Sequence, residues 1–253
     1  MHGASGSTGL PVFLAPSVAD GRLILDGEEA RHAASARRVQ AGEQVALSDG
    51  AGTMARCVVE SVRTGKSPEL SLEVRERYYV ERPALRVTIA QALVKGERGE
   101  LAVELATEAG ADAVLPWRAA RSIARWDDGP RGAKALQRWR RTAQSAAKQS
   151  RRAWVPEVRE PVDTEGLATV VREVACAAVL NAEAGQPFAE LPLPGEGELV
   201  VVVGPEGGIN DTELAALRTA GAIPARLGPT VLRASSAAAV TLGAIGARTG
   251  RWS

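Results

Sequence analysis

Leu199-Val-Val-Val-Val-Gly-Pro-Glu-Gly-Gly-Ile-Asn-Asp-Thr-Glu213 decides how the second half of the chain is read. Its first five residues are all apolar, the pattern of a strand covered on both faces. Asn210 followed three residues later by Glu213 is a helix start of the capping-box type, and Gly221 ends that helix. Gly204 to Gly208 therefore joins a buried strand to a capped helix. In an open α/β sheet ligands bind outside the carboxyl ends of strands, and glycines there let a ligand reach backbone N–H and C=O groups directly. The loop is neither GxxxxGK[ST] nor GxGxxG, so it supports neither a nucleoside triphosphate nor a dinucleotide.

Moving outward, Leu227-Gly-Pro-Thr-Val-Leu-Arg233 is a second Gly-Pro loop, leading into a last helix from about Ser235 to Thr249. Val231 and Leu232 could clasp a flat ring, and Arg233 offers a guanidinium at its rim. Arg86–Val94, Ala113–Pro116 and Ala175–Leu180 read as further strands, with a helix from about Arg98 to Ala109 ending at Gly110. Alternating strands and helices predict a parallel α/β sheet. The earlier part, Pro11 to about Tyr79, is turn-punctuated. Arg22–Leu25, Gln44–Leu47, Ala55–Val59 and Leu70–Val74 are short strands, with one helix over Glu28–Val39, which suggests a small β-barrel. Glu81-Arg82-Pro83 is the expected join, giving domains 1–80 and 81–253.

Composition narrows the function classes. The 253 residues are 45% apolar and 24% charged, as in ordinary globular domains. No run of about 18 apolar residues exists to span a membrane. Met1 to Leu10 reads as a loose tail rather than a signal peptide. Two cysteines and two histidines make neither a disulfide framework nor a zinc site, so a cytoplasmic, metal-free protein is expected. The net charge is only +1, yet twelve basic and three acidic residues lie between Arg118 and Arg159. That asymmetry is a footprint for phosphate backbones. Lys134 to Arg152 reads as a helix with Leu136, Trp139, Ala143, Ala146 and Ala147 on one face. Lys134, Arg138, Arg141, Lys148 and Arg152 lie on the other, without acidic i,i+4 partners on the helix, so RNA or DNA contact is expected. Trp126, Trp139 and Trp154 could stack on bases, with core packing expected for Trp139.

Gly204-Pro-Glu-Gly-Gly208 together with Leu227-Gly-Pro-Thr-Val-Leu-Arg233 resembles the signature of the RsmE family, within the SPOUT superfamily of RNA methyltransferases. Gln91-Ala-Leu-Val-Lys-Gly-Glu-Arg98, Glu104–Gly110, Arg121-Ser122, Arg138-Trp139, and Ala146–Arg151 with Pro156 agree in order. So do Arg31-His32, Arg37-Arg38-Val39 and Asp49-Gly50 in the N-terminal part. The resemblance covers nearly the whole chain after about Pro11. It implies a trefoil-knotted α/β domain, a PUA-like β-barrel before it, and a homodimer. The implied reaction is methylation of N3 of a uridine in small-subunit (16S) ribosomal RNA with S-adenosylmethionine. Carried over, Leu180 and Asn181, Gly204, Pro205, Glu206, Gly207 and Gly208, and Leu227, Gly228, Val231 and Leu232 would hold the cofactor, with Ser236 as a hydrogen-bonding candidate. Arg233 would stabilise charge on the uracil. Arg31, Arg37, Arg38, Arg121, Arg125, Arg138, Arg141, Lys148 and Arg152 would bind ribosomal RNA, free or in the 30S subunit. Two departures stand out: Ala234-Ser-Ser-Ala237 replaces Thr-Glu-Thr-Ala, and Asn181 follows Leu180 where His-Glu is usual. No acidic catalytic residue is therefore assigned at Ser235, and no general base is assigned. A non-catalytic RNA-binding protein and a SPOUT ribose 2′-O-methyltransferase are the alternatives. The barrel-like segment and Lys95-Gly-Glu-Arg98 argue against the second.

Overall fold

The computed structural model describes residues 9–252; most of the loose tail expected before Leu10 lies outside them. Two compact units emerge. One holds the chain up to Arg82 together with Ala147–Val155, the other Pro83–Ala146 and the chain from Pro156. The segment Ala147–Val155, which a single join after residue 80 would leave with the second unit, thus packs in the first.

In the first unit, β1 (Val12–Leu14), β2 (Arg22–Leu25), α1 (Gly27–Arg31), β3 (Gln44–Ser48), β4 (Thr53–Arg63) and β5 (Glu69–Tyr79) follow in order. The sheet runs β1-β3-β4-β5-β2. Alternate residues of β3, β4 and β5, among them Val45, Leu47, Ala55, Cys57, Val59, Leu70 and Leu72, bury one face against Phe13, Ala30 and Ala33. Burial pushes the Cys57 thiol up to about 11. The single helix expected over Glu28–Val39 is shorter. α1 passes into a π-helical turn at His32–Ala36, and Arg38 adopts a left-handed φ of 53° that no α-helix can continue through. Trp154 returns to this unit, its indole N–H donating to the Val80 carbonyl at 2.8 Å. Its ring fills the space above Gly52, where a Cβ would lie 2.5 Å from Cζ2.

The second unit contains β6 (Leu85–Ala92), α2 (Arg98–Glu108), β7 (Ala113–Trp117), α3 (Pro130–Gln149, whose last turn belongs to the first unit) and β8 (Glu157–Val158). These are followed by α4 (Thr164–Glu173), β9 (Cys176–Leu180), β10 (Gly197–Val203), α5 (Asp211–Thr219), β11 (Ile223–Ala225) and α6 (Ala234–Arg248). All six strands are parallel, in the order β11-β9-β10-β6-β7-β8. The all-apolar β10 explains itself: Leu199, Val201 and Val203 pack with Ala237, Ala238, Leu242 and Ile245 of α6. Val200 and Val202 face Leu167 and Val171 of α4 and Leu217 of α5 on the other side.

After α6 the chain turns back. The Arg251 guanidinium, nearly buried, bonds the carbonyls of Leu85 and Gly110 and pairs with Asp112 at 2.9 Å. α3 is amphipathic as expected, with Leu136, Trp139, Ala143, Ala146 and Ala147 all buried. Trp139 is core: it meets Trp126 edge to face at 4.8 Å and leaves no room for a Cβ on Gly99. Trp139→Ala is expected to lower the unfolding free energy by about 3–5 kcal/mol, as large aromatic truncations in cores do, measured by urea denaturation.

Candidate functional site

Parallel pairing delivers the ends of β6, β9, β10 and β11 to one rim. Ala225 lies beside Leu180, and Val203 beside Gln91. The loops that leave this rim enclose a cleft of about 850 Å³. It collects every cofactor candidate named from sequence except one. Leu180 and Asn181 come from the end of β9. Gly204, Pro205, Glu206, Gly207 and Gly208 follow β10, and Leu227, Gly228, Val231, Leu232 and Arg233 follow β11. Ser236 is the exception. Its hydroxyl, on the third residue of α6, donates back to the Arg233 carbonyl at 3.2 Å instead of lining the cleft. The neighbouring, buried Ser235 lines it, because the first turn of α6 points that position inward. Val94, Arg98, Glu183, Ile209, Asp211, Leu214, Arg226 and Ala237 also line the cleft and were not expected there, whereas Thr230 belongs to the expected Leu227–Arg233 loop. Of these, Val94 and Arg98 lie in the Gln91–Arg98 run, and Ile209 and Asp211 in the Leu199–Glu213 stretch.

Backbone closeness requires the glycines here. A Cβ on Gly204 would stand 2.7 Å from Cγ1 of Ile209, so the loop's two ends approach only because Gly204 is bare. Gly208 turns with φ +74°. The helix start then forms as read. The Asn210 side chain accepts from the Glu213 N–H at 2.8 Å, and the Glu213 carboxylate accepts from the Asn210 N–H at 3.2 Å.

That carboxylate does more than cap. One oxygen of Glu213, a buried residue, also accepts from the Ala120 N–H at 2.7 Å and the Thr164 hydroxyl at 3.1 Å. It therefore ties the glycine loop to the loop after β7 and to the start of α4. The next residue, Arg121, reaches the glycine loop itself, donating to the Gly207 carbonyl at 3.1 Å. Arg98, from the start of α2, pairs with Glu206 at 3.5 Å. Arg98, Arg121, Arg226 and Arg233 thus share the cleft with Glu183, Glu206 and Asp211. Among the described residues no carboxylate pairs with Arg233.

The remaining RNA candidates divide. Arg31, Arg37, Arg38, Arg125, Arg138 and Arg141 are exposed. Arg37 donates to Gln149 at 3.3 Å, and Arg125 to the Ala120 carbonyl at 3.5 Å. Arg138 pairs with Glu100 at 2.9 Å. Lys148 is half-buried and held by Glu29 at 2.5 Å, and Arg152 is partly buried. The acidic partners missing from α3 itself are supplied from outside it, so the cationic face is partly neutralised. Glu213→Ala would strand three donors beneath the cleft and is expected to cost about 3 kcal/mol in urea unfolding, while Glu213→Gln, which keeps an acceptor, costs less.

Comparison with known proteins gives two family matches. An RNA methyltransferase domain family matches residues 81–246, and an RNA methyltransferase PUA domain family matches residues 25–73. The ribosomal RNA small subunit methyltransferase E of Mycobacterium bovis is 52% identical over 233 residues, covering 90% of this chain and 87% of that protein. The protein of the same name from Bacillus subtilis is 32% identical over 232 residues, covering 89% and 90%. A Legionella pneumophila structure, solved in complex with S-adenosylmethionine, superposes with a TM-score of 0.83 at 26% identity, covering 95% of this chain and 98% of that one. The chain belongs to the ribosomal RNA small subunit methyltransferase E family of RNA methyltransferases.

Proposed function

We propose that this chain methylates N3 of a uridine in small-subunit ribosomal RNA, using S-adenosylmethionine, in the cytoplasm. The observation that carries the reading is the convergence of three carboxyl-end loops on one cleft, within the unit that matches the methyltransferase family. The residues fit the cofactor. Leu180, Ile209, Val231 and Leu232 offer apolar sides for a purine ring. The glycine loops offer backbone N–H and C=O groups, and a Cβ on Gly228 would meet nothing within 4 Å, leaving open space for a ligand. When bound, the cofactor supplies a methyl group on a sulfonium, an electrophile toward nitrogen.

N3 of uracil carries a proton and is normally occupied by base pairing, so the base must be flipped out to react. N3 would give up its proton to water before taking the methyl group, which the sulfonium would release as it becomes a neutral thioether. Positioning these atoms in line supplies a large share of the acceleration. As N3 loses its proton, negative charge spreads onto the uracil oxygens, and Arg233, which lines the cleft, would stabilise it. Arg31, Arg37 and Arg38 of the first unit, and Arg125, Arg138 and Arg141 of the second, draw the RNA backbone. Lys148 and Arg152 are assigned a weaker part because they are partly buried. The family likeness also supports a trefoil-knotted second unit and a homodimer. Val231, Val240 and Trp252, apolar and exposed on that unit, suit an association surface.

Incubation with small-subunit ribosomal RNA or with 30S subunits lacking the modification, followed by nucleoside mass spectrometry with fragmentation, tests the reading. A methyl on the uracil ring supports it. A methyl on the ribose, or none, overturns it. Arg233→Ala should lower kcat about 100- to 1000-fold while leaving S-adenosylmethionine affinity within about threefold by calorimetry. RNA affinity should fall with salt at a log–log slope of roughly −0.7 per phosphate contact.

A further inference from the structure

Building on that reading, we infer that Arg98 and Arg121 form a binding site for a phosphodiester group adjoining the target uridine, at the rim of the cleft. The two guanidinium groups come from separate elements, the start of α2 and the loop after β7, yet both end on the same short stretch. Arg98 reaches the Glu206 carboxylate and Arg121 the Gly207 carbonyl. Two guanidinium groups and one carboxylate thus meet along two adjacent residues of the glycine loop.

Stability does not account for the arrangement. The Arg98 side chain is 54% exposed and its ion pair is long, at 3.5 Å; exposed pairs of this kind contribute little to stability. Both residues are exposed, and each meets the loop through one nitrogen, so each planar fork has donors beyond that contact. Two such forks suit the oxygens of a phosphate, which accept bidentate, charge-assisted hydrogen bonds.

Arg121 is also held in place beforehand. The N–H of the preceding Ala120 is fixed on Glu213. Gly207 lies flat against its stem, where a Cβ would stand 3.2 Å from the Arg121 Cβ. Arg233 leaves from a different loop, after β11, and is free to meet the base. One nucleotide can then be gripped by its backbone and by its ring from separate loops. The cations of α3 contact RNA at other positions; this pair acts at the reacting nucleotide.

The test uses synthetic RNA spanning the uridine that mass spectrometry shows to be methylated, with single methylphosphonates replacing the flanking phosphates one at a time. With the wild-type protein, one neutral linkage next to that uridine should lower kcat/KM about 10- to 100-fold, the range of a charge-assisted hydrogen bond. Arg98→Gln and Arg121→Gln should show a comparable loss on all-phosphate RNA, and the neutral linkage should cost them less than about twofold more. S-adenosylmethionine affinity, measured by calorimetry, should stay within about twofold and reports that the variants are folded. Should Arg121→Gln lose that binding, Arg98→Gln carries the comparison. Losses that multiply, or wild-type indifference to every neutral linkage, would overturn the phosphate site while the methyltransferase reading stands. Absence of any methyl transfer by the wild type would overturn both.

Discussion

Every strand of the second sheet runs the same way, and both faces are covered. That constraint shapes the rest of the unit. With α2 and α6 on one side and α4 and α5 on the other, a strand such as β10 must be apolar throughout. Polar chemistry is left to the loops at the strand ends, and parallel pairing brings several of those ends to one rim. Loops are the mobile parts of a fold, so a site built from them needs a lock. Glu213 provides it: one buried carboxylate satisfies donors from the glycine loop, the loop after β7 and α4. Ionised carboxylates are costly to bury unless several donors surround them. Here the donors are supplied by the very segments that must be aligned.

The basic helix shows a related economy. Its apolar face packs as an ordinary core helix, while several of its cations are held in ion pairs by carboxylates from other elements. Glu100, Glu160 and Glu29 hold Arg138, Arg140 and Lys148 in place. Pairing orders these side chains and lowers the local potential without abolishing the excess of positive charge along the segment. In the cleft, by contrast, Arg98 and Arg121 rest on the glycine loop itself.

What the sequence made legible was whatever repeats or punctuates. The five-residue apolar run, the Asn210–Glu213 cap and the α3 periodicity each map onto an observed element. Both Gly-Pro loops fall in the cleft. Short elements were missed because three residues carry no period: β1 and β11 exist through their neighbours' hydrogen bonds. α4 escaped because its ten residues mix small, β-branched and charged types, and only the Asp163 cap marks its start. The helix over Glu28–Val39 was read too long, since nothing local announces the left-handed turn at Arg38. Among the site residues, Ser236 was favoured over Ser235 by resemblance, whereas helix phase decides which hydroxyl looks inward. Arg226 and Glu183 enter the cleft only through the tertiary path of their loops, which no spacing encodes.

The return of Ala147–Val155 to the first unit has an evolutionary corollary. The chain is not two beads on a string, because the indole of Trp154 plugs a slot whose walls were made about a hundred residues earlier. Genetic exchange at a single crossover point near residue 82 would deliver an N-terminal cassette without its plug and graft an orphaned indole onto whatever replaced it. Lineages built on this arrangement should therefore inherit both units together, and shuffled chimeras should survive only where the exchanged fragment carries the later segment along with it.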